Sequence, residues 1–202
     1  MEVIELSWEM VSVKTHELYE KVKEDFIPDV VVFIAKGGFE IGRIISELFN
    51  CPMIEIKAAR KKNFLKRCAE PILPYLPKSL CKILRKQEVG SGYHNKNQKR
   101  KVIFDVSQIK DLNSKKNVLL VDDSVDTGHS LKQCIDVINQ KIKNCTIKTA
   151  ALNVFSNSES NVKTDYYIFK DFCMSGPWSA DSKELRKFTR NYNNWKKIIK
   201  KV

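Results

Sequence analysis

Residues 118–130, VLLVDDSVDTGHS, carry the strongest structural signal in the chain. The apolar residues predict a buried strand over 117–122, and a helix is predicted to follow over 129–141. An ordinary strand–turn–helix unit with aspartate caps is the simplest interpretation. The complete pattern, with paired acids between the strand and a polar loop, is more specific and indicates a ligand site.

The polar loop in this stretch suits a phosphate group. Backbone N–H groups at the start of the helix, with the positive end of the helix dipole, favour an anion there. Gly128 has no Cβ to block a close approach, and Thr127 and Ser130 offer hydroxyl groups. Asp122 and Asp123 can accept hydrogen bonds from vicinal hydroxyls such as those of a ribose. The sequence therefore predicts a sugar-phosphate site.

A second candidate loop lies in residues 34–43, IAKGGFEIGR. Lys36, Gly37 and Gly38 break an apolar run, so they follow a predicted strand just as the first loop does. Alone, a basic residue and two glycines after a strand are a weak signal. At the end of a neighbouring strand, they strengthen the prediction of an anion site.

The rest of the chain alternates strands and helices, which predicts an α/β fold with a mostly parallel sheet flanked by helices. The carboxyl ends of such strands are where ligands bind, and both loops fall there. Further strands are predicted over 30–35, 52–56, 102–106, 146–154 and 165–169, and helices over 8–26, 41–49 and 186–201, the last packing Leu185, Phe188, Tyr192 and Trp195.

Composition predicts a single cytoplasmic domain. The chain has 202 residues, 43% of them hydrophobic, which is enough for one core over 1–202. No apolar run of about eighteen residues occurs, and the acidic opening MEVIELSWEM does not resemble a secretory signal. Six cysteines without a CxxC pair favour a reducing cytoplasm, and three scattered histidines predict no zinc site.

The net charge of +12 comes from one segment, residues 57–101, which holds 14 basic residues and two acids. Long segments that interrupt a compact domain are usually functional or disordered, and we interpret this one as a basic lid or insertion. Contact with an anionic membrane surface or a large anionic acceptor is the alternative. No recognised nucleic-acid module accompanies the charge, so no nucleic-acid partner is expected.

These features resemble the type I phosphoribosyltransferase family, whose signature is four hydrophobic residues, two acids and a loop D-T-G-x-[ST], as in residues 118–130. Residues 36–38 resemble the family's pyrophosphate loop, and the opening Leu6-Ser7-Trp8 is similar to bacterial and archaeal xanthine/hypoxanthine-type members. The resemblance covers roughly 6–56 and 102–178. It implies a Rossmann-like fold with a small C-terminal hood and tail helix over about 165–202, and a mobile lid over the active site.

The resemblance also implies a site for 5-phosphoribosyl-1-pyrophosphate (PRPP). Asp122 and Asp123 would hold the ribose hydroxyls and reach Mg²⁺ indirectly, through donor oxygens and water. Asp126 would lie near the attacking nitrogen as general base, so these three aspartates form the catalytic set. The ribose and 5′-phosphate would be bound by Asp122, Asp123, Ser124, Val125, Asp126, Thr127, Gly128, His129 and Ser130, and the pyrophosphate by Lys36, Gly37 and Gly38, with a cis peptide between Lys36 and Gly37. Tyr93 and His94 would be lid contacts.

The acceptor is expected to meet the hood through Phe172, Trp178 and Asp171. Compared with purine-using relatives, Cys173 replaces the stacking tryptophan, with Phe172 beside it, and Asn153 replaces the purine-reading lysine. We expect a purine-type nucleobase, for nucleotide salvage. The alternatives are a non-nucleobase acceptor, such as a lipid phosphate or sugar precursor, and a PRPP sensor without turnover. The family also implies a homodimer.

Overall fold

The computed structural model describes residues 2–59, 101–105, 114 and 116–199. The predicted lid, with Tyr93 and His94, therefore lies outside the described residues except at its two ends. The helices are α1 (Trp8–Lys23), α2 (Gly38–Leu48), α3 (His129–Lys141) and α4 (Leu185–Ile199), and a 3₁₀ turn spans Ser156–Ser160. The strands are β1 (Val3–Glu5), β2 (Val30–Ile34), β3 (Met53–Ala59), β4 (Lys101–Phe104), β5 (Asn117–Val125), β6 (Thr146–Val154), β7 (Tyr166–Lys170) and β8 (Cys173–Ser175).

The main sheet has the strand order β4-β3-β2-β5-β6-β7. All neighbouring strands in it run parallel except the edge strand β4, which is antiparallel to β3. β2 and β5 are adjacent, with Phe33 opposite Val121, so the segments that follow them emerge side by side. The predicted α/β fold with a mostly parallel, helix-flanked sheet is confirmed.

Burial explains why the central strands are continuous runs of apolar residues. Every residue of β2 is buried, and so are Val118–Val121 of β5, because helices cover both faces of the sheet. One apolar cluster joins the sheet to α1, α2 and α4, and the other joins it to α3. The core therefore holds the carboxyl ends of β2 and β5 in fixed positions.

A second, two-stranded parallel sheet pairs β1 with β8, so the start of the chain closes on the segment after β7. Helix α4 packs beside it through four large aromatic and aliphatic side chains. Phe188 and Tyr192 are 1% and 2% exposed, and the ring centroids of Phe39 and Tyr192 lie 5.2 Å apart. The packing predicted for the C-terminal helix is confirmed for Leu185, Phe188, Tyr192 and Trp195.

Several element boundaries differ from the sequence prediction: α1 ends at Lys23 rather than at residue 26, and β3 continues to Ala59 rather than to residue 56. β5 continues to Val125, three residues beyond the predicted end, because β6 pairs with it as far as Val154. Helix α2 begins at Gly38 rather than at residue 41. Among the described residues, no helix is both long enough and apolar enough to cross a bilayer.

Candidate active site

The two loops predicted from the sequence meet at the carboxyl edge of the sheet. A Cβ on Gly37 would overlap the carboxylate of Asp123, and one on Gly38 would lie 2.7 Å from the carbonyl oxygen of Val121. Only glycine allows the loop at 36–38 to rest directly against the paired aspartates. The structure therefore joins the predicted pyrophosphate loop and the predicted ribose site into one site.

The cis peptide bond lies between Ala35 and Lys36. The predicted position, between Lys36 and Gly37, is therefore wrong by one residue. Gly37 already has helical backbone angles (φ −56°, ψ −41°) as the residue preceding α2, and the Phe39 N–H donates to the Lys36 carbonyl at 3.0 Å. Regular helical structure thus begins at Gly37, and the irregular bond falls before Lys36.

The predicted phosphate loop wraps around the start of α3. Gly128 has φ +72°, and a Cβ there would lie 2.8 Å from Val162 Cγ1 and 2.9 Å from the Ser158 carbonyl oxygen. Glycine is required here by backbone conformation and by crowding from the 3₁₀ turn, in addition to any ligand. Asn161 Nδ2 donates to the Thr127 carbonyl at 2.9 Å and fastens the loop from behind. Nothing in the sequence around Asn161 pointed to that role.

An open cleft of about 310 Å³ lies between the two loops, large enough for a sugar phosphate. Its walls come from β2, β3, β5 and the start of α3, and they combine both predicted motifs. The cleft is lined by Ile34, Ala35, Lys36, Gly37, Ala58, Asp122, Asp123, Ser124, Val125, Asp126, Thr127, Gly128, Ser130 and Leu131. Gly38 and His129 border this lining without forming part of it.

The paired acids are strongly perturbed by burial. Desolvation raises the pKa of Asp122 well above its ordinary value, and the charge of Asp123 raises it further. Burial also raises the pKa of Asp123, while hydrogen bonds from the Asp122 and Trp178 side chains oppose that rise. The Asp123 N–H donates to Asp122 Oδ1 at 2.9 Å. A buried pair that resists double ionisation is suited to a ligand that brings hydroxyl donors or a cation.

The same acids are the described side chains best suited to an indirect Mg²⁺ site. The described part of the chain holds no group of three or more His, Cys, Asp or Glu side chains placed to bind a metal ion directly. Asp122 and Asp123 offer adjacent carboxylate oxygens, the ligand type that Mg²⁺ prefers, and Mg²⁺ commonly completes its shell with water and substrate oxygens. The residues fit a cation that arrives with its ligand.

The side chains of the predicted hood residues make separate contacts within the protein. The Trp178 side chain lies close enough to Asp123 to lower the pKa of that carboxylate, so it reaches the paired acids. Phe172 packs edge-on against Phe169, with ring centroids 5.8 Å apart. The Asp171 carboxylate accepts from the Ser156 N–H at 2.8 Å and from the Ser156 hydroxyl at 2.5 Å, which directs it to the 3₁₀ turn.

A carboxylate that the sequence analysis missed, Glu55, is connected to Lys36 through Tyr192. Glu55, on β3, accepts a hydrogen bond from the Tyr192 hydroxyl and forms ion pairs with Lys196 at 3.2 Å and with Lys57 at 3.1 Å. Tyr192 also places its ring centroid 5.9 Å from Lys36 Nζ. The C-terminal helix therefore contacts Lys36 of the predicted pyrophosphate loop. Glu55 gave no sequence signal because its partners lie about 140 residues away in α4.

The profile of the Phosphoribosyl transferase domain matches residues 9–183. The chain belongs to this family. The predicted resemblance to type I phosphoribosyltransferases is confirmed, and family membership supports a transferase that moves a phosphoribosyl group. Helix α4 begins two residues beyond the matched range.

Solved structures show the same fold at low sequence identity. A purine phosphoribosyltransferase from Pyrococcus horikoshii is 24% identical, with 89% of this chain and 95% of that chain covered and a TM-score of 0.62. A xanthine-guanine-hypoxanthine phosphoribosyltransferase from Helicobacter pylori is 19% identical, covers 91% and 96%, and has a TM-score of 0.61. A search of curated proteins found no match.

Proposed function

We propose that this protein transfers 5-phosphoribose from PRPP to a purine-type nucleobase and releases pyrophosphate. The observation that carries the proposal is the contact between Gly37 and Asp123, which sets a cationic loop against one buried carboxylate, Asp122, and one half-buried carboxylate, Asp123. A ligand that fits both must present hydroxyls on one side and negative charge on the other. A ribose that bears pyrophosphate at C1 has that arrangement.

The donor would lie across the cleft with its 5′-phosphate at the start of α3. There it would meet free N–H groups and the hydroxyls of Thr127 and Ser130, both of which line the cleft. Its hydroxyls would donate to Asp122 and Asp123. Its pyrophosphate would lie near Lys36, whose charge offsets that of the leaving group.

Transfer would follow a dissociative displacement at C1 of the ribose. The acceptor nitrogen forms a bond to C1, the bond from C1 to the pyrophosphate oxygen breaks, and the departing oxygen keeps the electron pair. Asp126 would accept the proton that the acceptor nitrogen loses. Bound Mg²⁺ would supply positive charge to the pyrophosphate oxygens, held by Asp122 and Asp123 through donor oxygens and water.

The purine acceptor is supported by similarity to the purine phosphoribosyltransferase from Pyrococcus horikoshii and the xanthine-guanine-hypoxanthine phosphoribosyltransferase from Helicobacter pylori, whose chains this fold matches over at least 95% of their length. Phe172, in the predicted hood, would offer an aromatic face to a nucleobase. One observation favours a different acceptor: Asn153 is fully buried and its amide is engaged within the protein, so it offers no group to a base. Transfer to a non-nucleobase acceptor, such as a lipid phosphate or sugar precursor, is therefore the second candidate.

Our expectations for the location and oligomeric state of the protein rest on its sequence. We expect a cytoplasmic homodimer, with Tyr93 and His94 closing over the donor from the segment 57–101. If the acceptor is lipid-linked, the positive charge of that segment would hold the enzyme at an anionic membrane surface.

Pyrophosphate release from PRPP with Mg²⁺ tests the proposal, screened over hypoxanthine, guanine, xanthine, adenine, uracil and a polyprenyl phosphate. Turnover with a purine base is the expected result. Release only with the polyprenyl phosphate would support the second candidate, and tight PRPP binding without any release would indicate a sensor. The double variant Asp122→Ala, Asp123→Ala should abolish release, whereas Asp136→Asn on the exposed face of α3 should not.

A further inference from the structure

We infer that Asn153 is a positioning residue that ties the hood to Asp126 and so fixes the acceptor half of the site. The inference rests on the proposed function. It starts from a buried amide whose bonds join three separate segments of the chain, at the position where β6 lies opposite the end of β5.

Asn153 is 0% exposed and makes three hydrogen bonds. Its Oδ1 accepts from the Phe172 N–H at 3.3 Å, and its Nδ2 donates to the Phe172 carbonyl at 2.9 Å. The same Nδ2 donates to the Ser124 hydroxyl at 3.2 Å. One side chain thus holds both backbone polar groups of Phe172, the first hood residue after β7 and its turn.

The network continues from the hood into the candidate catalytic residue. Ser124 lies directly opposite Asn153 in the β5–β6 ladder. Having accepted from Asn153, its hydroxyl donates to Asp126 Oδ1 at 3.2 Å. A displacement of the Phe172 backbone therefore reaches the Asp126 carboxylate through two side chains.

The chemistry of the amide explains why this position is demanding. Only a side chain that both donates and accepts can satisfy an N–H and a carbonyl of one residue together. An unsatisfied polar group here would be buried, so the network favours one arrangement strongly. Lysine at this position could not accept the Phe172 N–H.

The donor half of the site is held by other contacts. The Thr127 carbonyl accepts from Asn161, and Gly37 rests against Asp123. Loss of the Asn153 amide should therefore disturb Asp126 and the hood while leaving the PRPP-binding groups in place.

The test compares Asn153→Leu, similar in volume but without polar groups, with Ser124→Ala, which removes the hydroxyl between Asn153 and Asp126 but leaves both bonds to the Phe172 backbone. Both should lower kcat/KM for the acceptor roughly tenfold, and in Asn153→Leu, at a position outside the cleft lining, the KM for PRPP should change less than about twofold. Ser124→Thr keeps the hydroxyl and should restore the acceptor kinetics.

Thr149→Val is the matched control. Thr149 is a buried β6 residue that also joins its strand to a distant segment, with Thr149 Oγ1 2.7 Å from Asp165 Oδ2, but it lies away from the cleft. It should cost stability without selective loss of acceptor kinetics. An equal rise in the KM for PRPP in Asn153→Leu, or the same acceptor defect in Thr149→Val, would overturn the inference.

Hydrogen–deuterium exchange gives a readout that does not depend on turnover. The peptide that contains Phe172 should exchange faster in Asn153→Leu and at the wild-type rate in Ser124→Ala and Thr149→Val. Wild-type protein that turns over no acceptor would refute the proposed function but leave this anchoring measurable. Unchanged exchange in Asn153→Leu would refute the anchoring even in an active transferase.

Discussion

Gly37 lies so close to Asp123 that a single methyl group on the glycine would overlap the carboxylate. The two residues belong to different loops and are 86 positions apart in the sequence. Their contact is what makes one site of the two motifs, because it places the cationic loop against the buried acids.

Gly37→Ala should therefore separate the loops and weaken donor use about a hundredfold, since small displacements at a reacting centre are costly. PRPP-dependent pyrophosphate release measures the loss. Gly42→Ala is the matched control: its Cβ would lie 2.9 Å from Phe33 Cβ, inside the core and away from the cleft. The Gly42→Ala protein should have a lower melting temperature than the wild type but the same affinity for PRPP. Normal donor use in Gly37→Ala, or an equal loss of donor use in Gly42→Ala, would contradict the role of Gly37.

Trp178→Phe should impair PRPP binding in a pH-dependent way. The variant keeps an aromatic ring against Phe188 but loses the indole N–H, and with it the interaction that lowers the pKa of Asp123. Asp123 would then ionise at higher pH, so the pH at which PRPP binding reaches half of its maximum should rise. The KM for PRPP, measured as a function of pH, tests this.

Trp8→Phe is its control. Trp8 lies in the same aromatic cluster, 6.4 Å from Phe188, and its buried Nε1 has no hydrogen-bond partner among the described residues. It should leave the pH profile unchanged, so an equal shift in both variants would argue against the bond to Asp123.

Asp122→Asn should make the protein more stable at neutral pH while abolishing donor use. Because burial raises the pKa of Asp122, the folded state binds more protons than the unfolded state, and stability falls as the pH rises above about 4. The amide removes this penalty. Melting temperatures between pH 4 and 8 should diverge in favour of the variant as the pH rises, whereas Asp136→Asn should follow the wild type.

Tyr192→Phe should cost about 1 kcal/mol of unfolding free energy and raise the KM for PRPP a few-fold. The change removes the bond to Glu55, whose side chain is 12% exposed, and loosens the contact between α4 and Lys36. Denaturant unfolding and PRPP titration measure the two effects. Tyr166→Phe is the control, because it removes only an exposed hydrogen bond of 2.6 Å from the Tyr166 hydroxyl to Asp25. It should change neither the unfolding free energy nor the KM for PRPP.

Local sequence predicted the parts of this molecule that depend on neighbours in the chain. The buried strands, the helix after Gly128 and both loops follow from apolar runs and turn residues, and parallel topology then brings the loops together. The sequence predicted that Gly128 is needed for the close approach of a ligand. It did not predict that Val162 and Ser158, which come later in the chain, leave no room for a side chain at that position.

Long-range side-chain contacts were beyond such an analysis. The sequence placed Trp178 and Asp171 in the acceptor hood but did not predict that Trp178 would approach Asp123 or that Asp171 would bond to Ser156. Their roles toward an acceptor remain predictions. Asn153 was noted only as a departure from lysine, because its partners are the backbone of Phe172 and the side chain of Ser124. The hydrogen-bond partners of these polar side chains are distant in the sequence and become neighbours only in the folded chain.

Helix α4 has a practical consequence for anyone who expresses this protein in pieces. A boundary taken from the end of the family match, at residue 183, would discard Phe188 and Tyr192, which are almost fully buried. The remaining chain would expose Phe33, Phe39 and Trp178 to water and would be prone to aggregate. The smallest piece that keeps the candidate active site intact must extend to the end of α4.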